Sequence, residues 1–471
     1  MFIFLLFFLL LTCTFHHVST TTKNHNQTHL QPPHTMDPLE LQTLYTIMET
    51  LSSDQKWRLN YPNPCKATTT WVGIECKQGV QDSHFHVTRL DFGTLPNPTC
   101  KNNIVSFPSQ IFQLPYLQSI FFFQCFTKSK TTLSFPKSPN NLVTPSSLQQ
   151  ISLRSNPNLV GTIPSQLFTH LPSLQILTLS QSKLSGEIPP EISKLGSLVH
   201  LDLSYNHLTG DIPSELSNLK NLVGLDLSYN SLKGSIPNTI GQLSMLQKLD
   251  LSSNLLTGSI PTTIEKLTSL VFIELSNNGF HGKLPLGLVN LKGLEYFIME
   301  NNPMSIQLPI LFGQLPKLQE LRLANSGYSG EIPASFSQLS NLTTLSLQNN
   351  KLTGNIPLGF GNLSHIYHLN LSKNLLSGEV PFDSSFLKRL GKNLDLSENT
   401  QLCVNPMQAY DSAKLGVDVC DKRSTRVGNN NNISSNSMVK PLKKSKGRVV
   451  GFSRPTLFFM FLIALGVYVR I

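Results

Sequence analysis

Ser197 to Lys220 reads SLVHLDLSYNHLTGDIPSELSNLK, a run that reduces to L-x-x-L-x-L-x-x-N-x-L-x-G-x-I-P. The same wording restarts every 24 residues, at Ser173, Ser197, Asn221, Met245, Ser269, Gly293, Lys317, Asn341 and His365, without slippage. A slightly longer unit begins at Ser147, and degenerate units around Val87 to Phe92 and Leu117 to Phe123 precede it. A fixed period of this length means a stack of units, none of which can bury its apolar face alone. Leu198, Leu201 and Leu203 are expected to point inward from a short strand, with Leu208 and Ile212 closing the same core from the returning segment. Asn206 recurs as Asn230, Asn254, Asn278, Asn302, Asn350 and Asn374, which predicts a buried ladder of amides satisfying backbone groups between units. Gly210 and Pro213 mark a tight turn and a segment that cannot continue as helix. The fold class is therefore an α/β-type solenoid with parallel strands on its concave face.

The residues between the inward leucines are expected to face solvent on that concave side, where solenoids bind partners. One column runs Ser152, Thr178, Asp202, Asp226, Asp250, Glu274, Ile298, Arg322, Ser346, Asn370. Its four successive acids form a ridge suited to a basic ligand, although a solvated repeat surface would carry the same LDLS wording. The neighbouring column sets Phe272 beside Tyr296, an exposed aromatic pair of the kind that makes binding hot spots, or a local packing adjustment under the irregular unit that follows. Two units break the pattern. Gly293 to Pro316 contains NNPMSIQLP, and Lys317 to Ser340 replaces the ladder asparagine with Ser326 in NSGYSGEIP. Such departures mark candidate sites, here Met304, Arg322 and Tyr328, although drift without function gives the same irregularity. The candidate ligand-binding set is thus Asp202, Asp226, Asp250, Phe272, Glu274, Tyr296 and Arg322.

The net charge of +10 is concentrated beyond residue 421. From Lys422 to Ile471 there are five lysines, five arginines and no acid, leaving 27 basic against 27 acidic residues in the rest. The repeats thus lack the basic surface that nucleic acid requires, so no nucleic-acid partner is expected. Met1 to Cys13 is nearly all apolar and gives way to a polar stretch, the pattern of a cleaved signal peptide, with a membrane-spanning signal anchor as the other reading. Six cysteines then remain as three sequence-close pairs, Cys65 with Cys76, Cys100 with Cys125 and Cys403 with Cys420; the repeat region separates the terminal pairs, which favours nearest-neighbour bonds in an oxidising compartment. N-x-S/T sequons at Asn26, Asn341, Asn362, Asn370 and Asn432 agree with export and are the candidate glycosylation sites.

The expected organisation is a signal peptide over 1–20, a leader and cysteine-containing cap over 21–83, a solenoid of about 11–12 repeats over 84–400, a C-terminal cap over 401–421, a basic linker over 422–448 and a hydrophobic anchor or anchor signal over 449–471. Trp57, Cys65, Trp71 and Cys76 in 38–76 supply a stapled cover for one apolar end of the stack. Residues 422–448 have almost nothing to bury. Pro455 to Val469 is short for a single span, and its basic cluster lies on the wrong flank for a type I membrane protein, which favours a cleaved lipid-anchor signal over a transmembrane helix. Membrane attachment by the C-terminal tail is expected either way.

With these residues in hand, the chain resembles the plant leucine-rich-repeat receptor-like proteins, close to the group of Too Many Mouths and the Piriformospora indica-insensitive-like proteins. The resemblance covers nearly the whole chain after the signal and rests on DQKWRLNYPNPC, WVGIEC, HVTRLDFGTLPNPTC, LQSIFFFQCFT, LRSNPNLVGTIP, YFIMENNPM, LANSGYSGEIP and FLKRLGKNLDLSENTQLC, of which FFFQCFT is more telling than any LDLSYN. It implies a plant-type leucine-rich-repeat right-handed superhelix with disulfide-stapled caps. It also implies a cell-surface ectodomain at the plasma membrane that perceives a peptide or glycan ligand, or a partner ectodomain, and signals through a leucine-rich-repeat receptor kinase or co-receptor, because that group carries no kinase of its own. No cofactor and no catalytic residues follow from it.

Two other functions are weighed against this one. Soluble repeat proteins of the same wording inhibit wall-degrading polygalacturonases, and release from the membrane would favour that reading. Catalysis finds no support: the chain has no H-E-x-x-H and no Walker loop, and Gly327-Tyr328-Ser329-Gly330 falls short of G-x-S-x-G. The histidines between His16 and His34 lack cysteine or acidic partners and read as a solvated leader rather than a metal site.

Overall fold

The structure is a computed structural model that describes residues 35–420, apart from 67–70, 80–81, 83, 136–145 and 409–414. The signal, linker and anchor expectations, the His16 to His34 stretch, and the sequons at Asn26 and Asn432 lie outside the described residues.

Each repeat contributes one short strand to a 14-stranded sheet. Its first two strands, Ile74–Gln78 and Phe85–Phe92, pair antiparallel, and from Phe85–Phe92 onward every neighbouring pair is parallel. The 24-residue period keeps these strands in register, so Leu201, Leu225 and Leu249 align across three successive units and are buried. The returning segment of each regular unit is a five-residue 3₁₀ helix, such as Ser214–Asn218 or Thr262–Lys266, and the proline of G-x-I-P is its N-cap residue. Proline suits that place because its fixed φ and missing N–H stop a strand without leaving a donor unpaired. The glycine of the same motif takes a left-handed conformation, as at Gly210 with φ 78°, where a side chain would also meet Glu187. Leucines and isoleucines from strand, turn and 3₁₀ helix form one continuous core.

The amide ladder forms as expected. Asn254 is representative: its Nδ2 donates to the carbonyls of Leu227, Leu251 and Ser252 at 3.0, 3.2 and 3.2 Å, and its Oδ1 accepts from the Leu232 N–H at 3.0 Å. One side chain thus closes a turn within its own unit and fastens the unit before it. The ladder extends to two rungs absent from the regular series, Asn156 and Asn399, both buried and bonded in the same manner.

Both ends are covered. The helix Pro38–Leu51, N-capped by Asp37, lays Leu44, Ile47, Met48 and Leu51 over the first strands, and the rings of Trp57, Tyr61 and Trp71 pack against one another beside it. Glu40 of this helix is buried. Its Oε1 accepts from the Val87 N–H at 2.9 Å, and its Oε2 lies 2.7 Å from Nδ1 of His86, whose other ring nitrogen lies 3.1 Å from Asp82. Cys65–Cys76, Cys100–Cys125 and Cys403–Cys420 are bonded, the first two at the N-terminal end and the third at the C-terminal end.

In the two irregular units, Met304 and Tyr328 of the candidate zone lie in the core. Both are buried, Met304 at 3% and Tyr328 at 0% exposure. They stand where Leu208 stands in a regular unit, two residues after the ladder position, so they fill the core. Where serine replaces asparagine at 326 the ladder changes locally: Met304 N–H turns to the carbonyl of Asn302, and Ser326 Oγ donates to the carbonyls of Met299 and Ala324. The irregular wording thus records a repacked core. Among the described residues no helix is long and apolar enough to cross a membrane.

Candidate functional site

The register of the large sheet places Asp202, Asp226, Asp250 and Glu274 side by side on four successive strands. Each carboxylate accepts from the serine two residues on: Asp202 from the N–H and Oγ of Ser204 at 3.0 and 2.6 Å, Asp226 from Ser228 at 3.1 and 2.7 Å, Asp250 from Ser252 at 3.1 and 2.7 Å, and Glu274 from the N–H of Ser276 at 2.9 Å. These acids therefore help to turn the chain out of the strand. They are also less open than the alternation of the strand implied, since Asp250 and Glu274 are buried at 4% and 6% exposure. Parallel strands lie only about 4.8 Å apart, so long side chains in one column cover each other.

Burial together with like charge strains the ionised forms. Asp202 is pushed up by burial and by the charge of Asp226. Asp250 is pushed up to about 7 by burial and by Asp226, and Glu274 to about 8 by burial and by Asp250. Lys248 Nζ lies 2.8 Å from Asp226 Oδ2; burial opposes its charge, but Asp226 and Asp250 outweigh that and hold the ammonium above its ordinary range. The sign for stability follows. A carboxyl whose pKa is higher folded than unfolded binds more protons in the folded state, so its contribution is best at acid pH and is lost as pH rises. The thermal midpoint is accordingly expected to fall between pH 5 and pH 8, and Glu274→Gln, which removes the charge and keeps an acceptor, should reduce that fall while leaving the midpoint at pH 5 nearly unchanged.

Phe272 and Tyr296 are adjacent as expected, with ring centroids 5.9 Å apart, but Phe272 is 6% exposed and is not an open hot spot. Lys248 lies over its ring at 5.8 Å and covers it. Tyr296 is half-buried. Arg322 is ion-paired with Glu320 of its own strand. The structure thus brings Asp202, Asp226, Asp250, Glu274 and Phe272 into one patch around Lys248, with Tyr296 at its edge and Arg322 one strand further along.

An exposed, stacked aromatic pair lies at positions that the column reading passed over. Tyr205 and Tyr229 stack with ring centroids 4.1 Å apart and planes within 9°, and they are 43% and 47% exposed. They stand just before the ladder asparagine, at a position with positive φ in each unit from Ser155 to Glu398. That left-handed conformation suits asparagine, which occupies it at 277, 301, 325 and 349, and is costly for a bulky ring. Two tyrosines in consecutive units against this preference are the signal that was available in LDLSYN. Burial, and then the charge and hydrogen bonding of Tyr229, raise the Tyr205 phenol well above its ordinary range; Asp226 and Asp250 add to this, which places the tyrosine pair beside the acid ridge.

Among the sequons, Asn341 and Asn362 are exposed, whereas Asn370 lies on a strand of the large sheet with its Oδ1 accepting from Ser372. Among the described residues no group of three or more His, Cys, Asp or Glu is placed to hold a metal ion.

One family model for the leucine rich repeat matches residues 146–208 and 220–280, and a second such model matches 341–363. The chain is similar to Receptor like protein 29 of Arabidopsis thaliana, 57% identical over 148 residues that make up 31% of each chain. It is also similar to Piriformospora indica-insensitive protein 2 of Arabidopsis thaliana, 33% identical over 148 residues, 30% of this chain and 33% of that one. The matched part therefore spans about a third of each curated relative. Among solved structures, PEPR1–AtPEP1 is similar with a TM-score of 0.66 at 28% identity, covering 81% of this chain and 51% of that one. The plant peptide hormone receptor RGFR1, in complex with RGF2, is similar with a TM-score of 0.57 at 31% identity, covering 67% and 47%.

Proposed function

We propose that this leucine-rich-repeat solenoid, similar to plant receptor-like proteins, is a receptor-like protein without a kinase of its own, which binds an extracellular ligand or partner ectodomain on the open face of its large sheet. It signals through a leucine-rich-repeat receptor kinase or co-receptor, and it is held at the outer face of the plasma membrane by its C-terminal tail. The observation that carries this reading is the patch around Tyr205, Tyr229 and the Asp202 to Glu274 ridge. Aromatic rings 43% and 47% exposed beside buried, repelling carboxylates disfavour the free protein and are relieved by a bound partner. The peptide complexes named for the similar solved ectodomains, PEPR1–AtPEP1 and RGFR1 with RGF2, support a peptide as the ligand class.

The test uses a glycan as a wedge. Tyr229→Asn converts Tyr229-Asn230-Ser231 into an N-x-S acceptor at a position whose backbone favours asparagine, so the fold should tolerate it. Expressed in plant cells, this variant should reach the surface and lose capture of its partner kinase by about tenfold or more, as expected for loss of a central contact. The control Tyr229→Asn/Ser231→Ala lacks the sequon and should retain more capture. Equal capture by the glycosylated variant and the unmodified protein would overturn the assignment of this face.

A further inference from the structure

The tyrosine stack ends abruptly on one side. Ser253 holds the next position of the same column, with the same left-handed backbone, φ 54° against 54° and 52° at Tyr205 and Tyr229. Because successive units repeat at about 4.8 Å along the sheet, a ring at Ser253 would continue the stack. Serine instead leaves the outer face of Tyr229 without a stacked ring on that side. Its neighbour Ser252 donates to Asp250, and Asp226 lies one strand back, bonded to Ser228 and Lys248. The next residue of the column, Asn277, closes the far side, with its Nδ2 reaching Ser253 Oγ at 3.5 Å. Two repeats separate Tyr229 from Asn277, so the column leaves a slot over Ser253 with room for about one planar group between the ring and the amide, with the carboxyl groups of Asp226 and Asp250 on the strands beside it.

Charge selects the occupant. On the four strands that carry Asp202, Asp226, Asp250 and Glu274, Lys248 is the one lysine or arginine beside four carboxyl groups, so a bound cation would favour the ionised forms that burial and mutual repulsion hold back in the free protein. A guanidinium is planar, remains charged at any working pH and stacks on tyrosine, whereas an ammonium is compact and strongly hydrated. We propose that the Tyr229 face above Ser253 seats an arginine side chain of a cationic peptide segment, stacked on the Tyr205–Tyr229 pair and flanked by Asp226 and Asp250. This inference rests on the open face of the sheet being the binding surface, and names the chemistry of what it binds: an extended peptide segment carrying arginine.

The experiment titrates the purified full chain with fluorescein-labelled hexa-arginine and hexa-lysine, reading fluorescence anisotropy. Hexa-arginine should bind about tenfold more tightly than hexa-lysine, the scale of a partly desolvated cation–π contact. Ser253→Tyr, which extends the stack into the slot and leaves every carboxylate in place, should weaken hexa-arginine binding by about tenfold and remove the preference over lysine. Ser253→Ala, which keeps the slot open, should bind as the unmodified chain does, and circular dichroism of all three should coincide. Unchanged hexa-arginine binding by Ser253→Tyr, or equal binding of the two peptides to the unmodified chain, would overturn the slot. Either result leaves the wider use of the face untouched, since the glycan wedge tests that separately.

Discussion

Replacing Asn254 with leucine is expected to destabilise the solenoid by about 3 kcal/mol or more, measured by urea unfolding, and to release the Leu232 N–H to hydrogen exchange. The reasoning starts from the partners. Asn254 is buried and bonded to three carbonyls and one N–H spread over two successive units, its own and the one before. A leucine of similar size supplies none of these bonds, leaving the Leu227 carbonyl and the Leu232 N–H without the side chain that joins their unit to the next, at about 1–3 kcal/mol for each buried group left unmade. Asn254→Ser should cost less, because the chain already carries a serine rung: Ser326 keeps bonds to two carbonyls but lets the Met304 N–H turn elsewhere. In a stack where each unit touches only its neighbours, the loss should concentrate in exchange of the adjoining units. Equal stability of the leucine and asparagine forms would show that the ladder contributes nothing.

The second large effect is expected at the N-terminal cover. Glu40 ties the capping helix to the strand Phe85–Phe92 through Val87 and His86, and His86 is also packed against Tyr116 with ring centroids 3.7 Å apart. Glu40→Ala removes one member of a buried pair and leaves the Val87 N–H unmet, a change worth about 3–5 kcal/mol. Burial alone pulls the His86 imidazole down, but hydrogen bonds and charge from Glu40 and Asp82 outweigh it and hold it above its ordinary range. A group whose pKa is raised by folding gives its stability below the unfolded value and loses it as pH rises through the folded one. The difference between the unmodified chain and Glu40→Ala should therefore be largest near pH 5 and shrink toward pH 8. Limited proteolysis should cut the variant first within 35–92. A difference that grows with pH would show that the imidazole is not paired as described.

The fold was legible because its determinants recur. Leucine spacing, the ladder asparagine and the G-x-I-P turn each repeat at a fixed interval, and a solenoid needs little beyond that repetition. Cysteine pairing was legible for a different reason: the terminal pairs are held apart by the length of the stack. The site was legible only in part. Alternation along a three-residue strand correctly set Asp202, Asp226, Asp250 and Glu274 in one column, but it could not tell that Lys248 would lie over Phe272, because burial on that face depends on the neighbouring strand and not on the residue's own. Met304 and Tyr328 looked irregular in sequence and are core residues in the ordinary leucine position. Tyr205 and Tyr229 looked ordinary, and are the open ring pair. Both stand in LDLSYN at a column position where other units place asparagine, and the left-handed φ explains why a ring there is unusual.

The most direct test of the account places a photo-crosslinking p-benzoylphenylalanine at Tyr229, and separately at Leu286 and Leu358, which are both 83% exposed on the 3₁₀ helices of the opposite side. Each form is expressed in plant cells, irradiated at the surface and examined for adducts by mass spectrometry. The account predicts an adduct with a kinase-bearing receptor or its peptide ligand from position 229 and none with that partner from 286 or 358. The same partner crosslinking from 286 or 358 and not from 229 would contradict it.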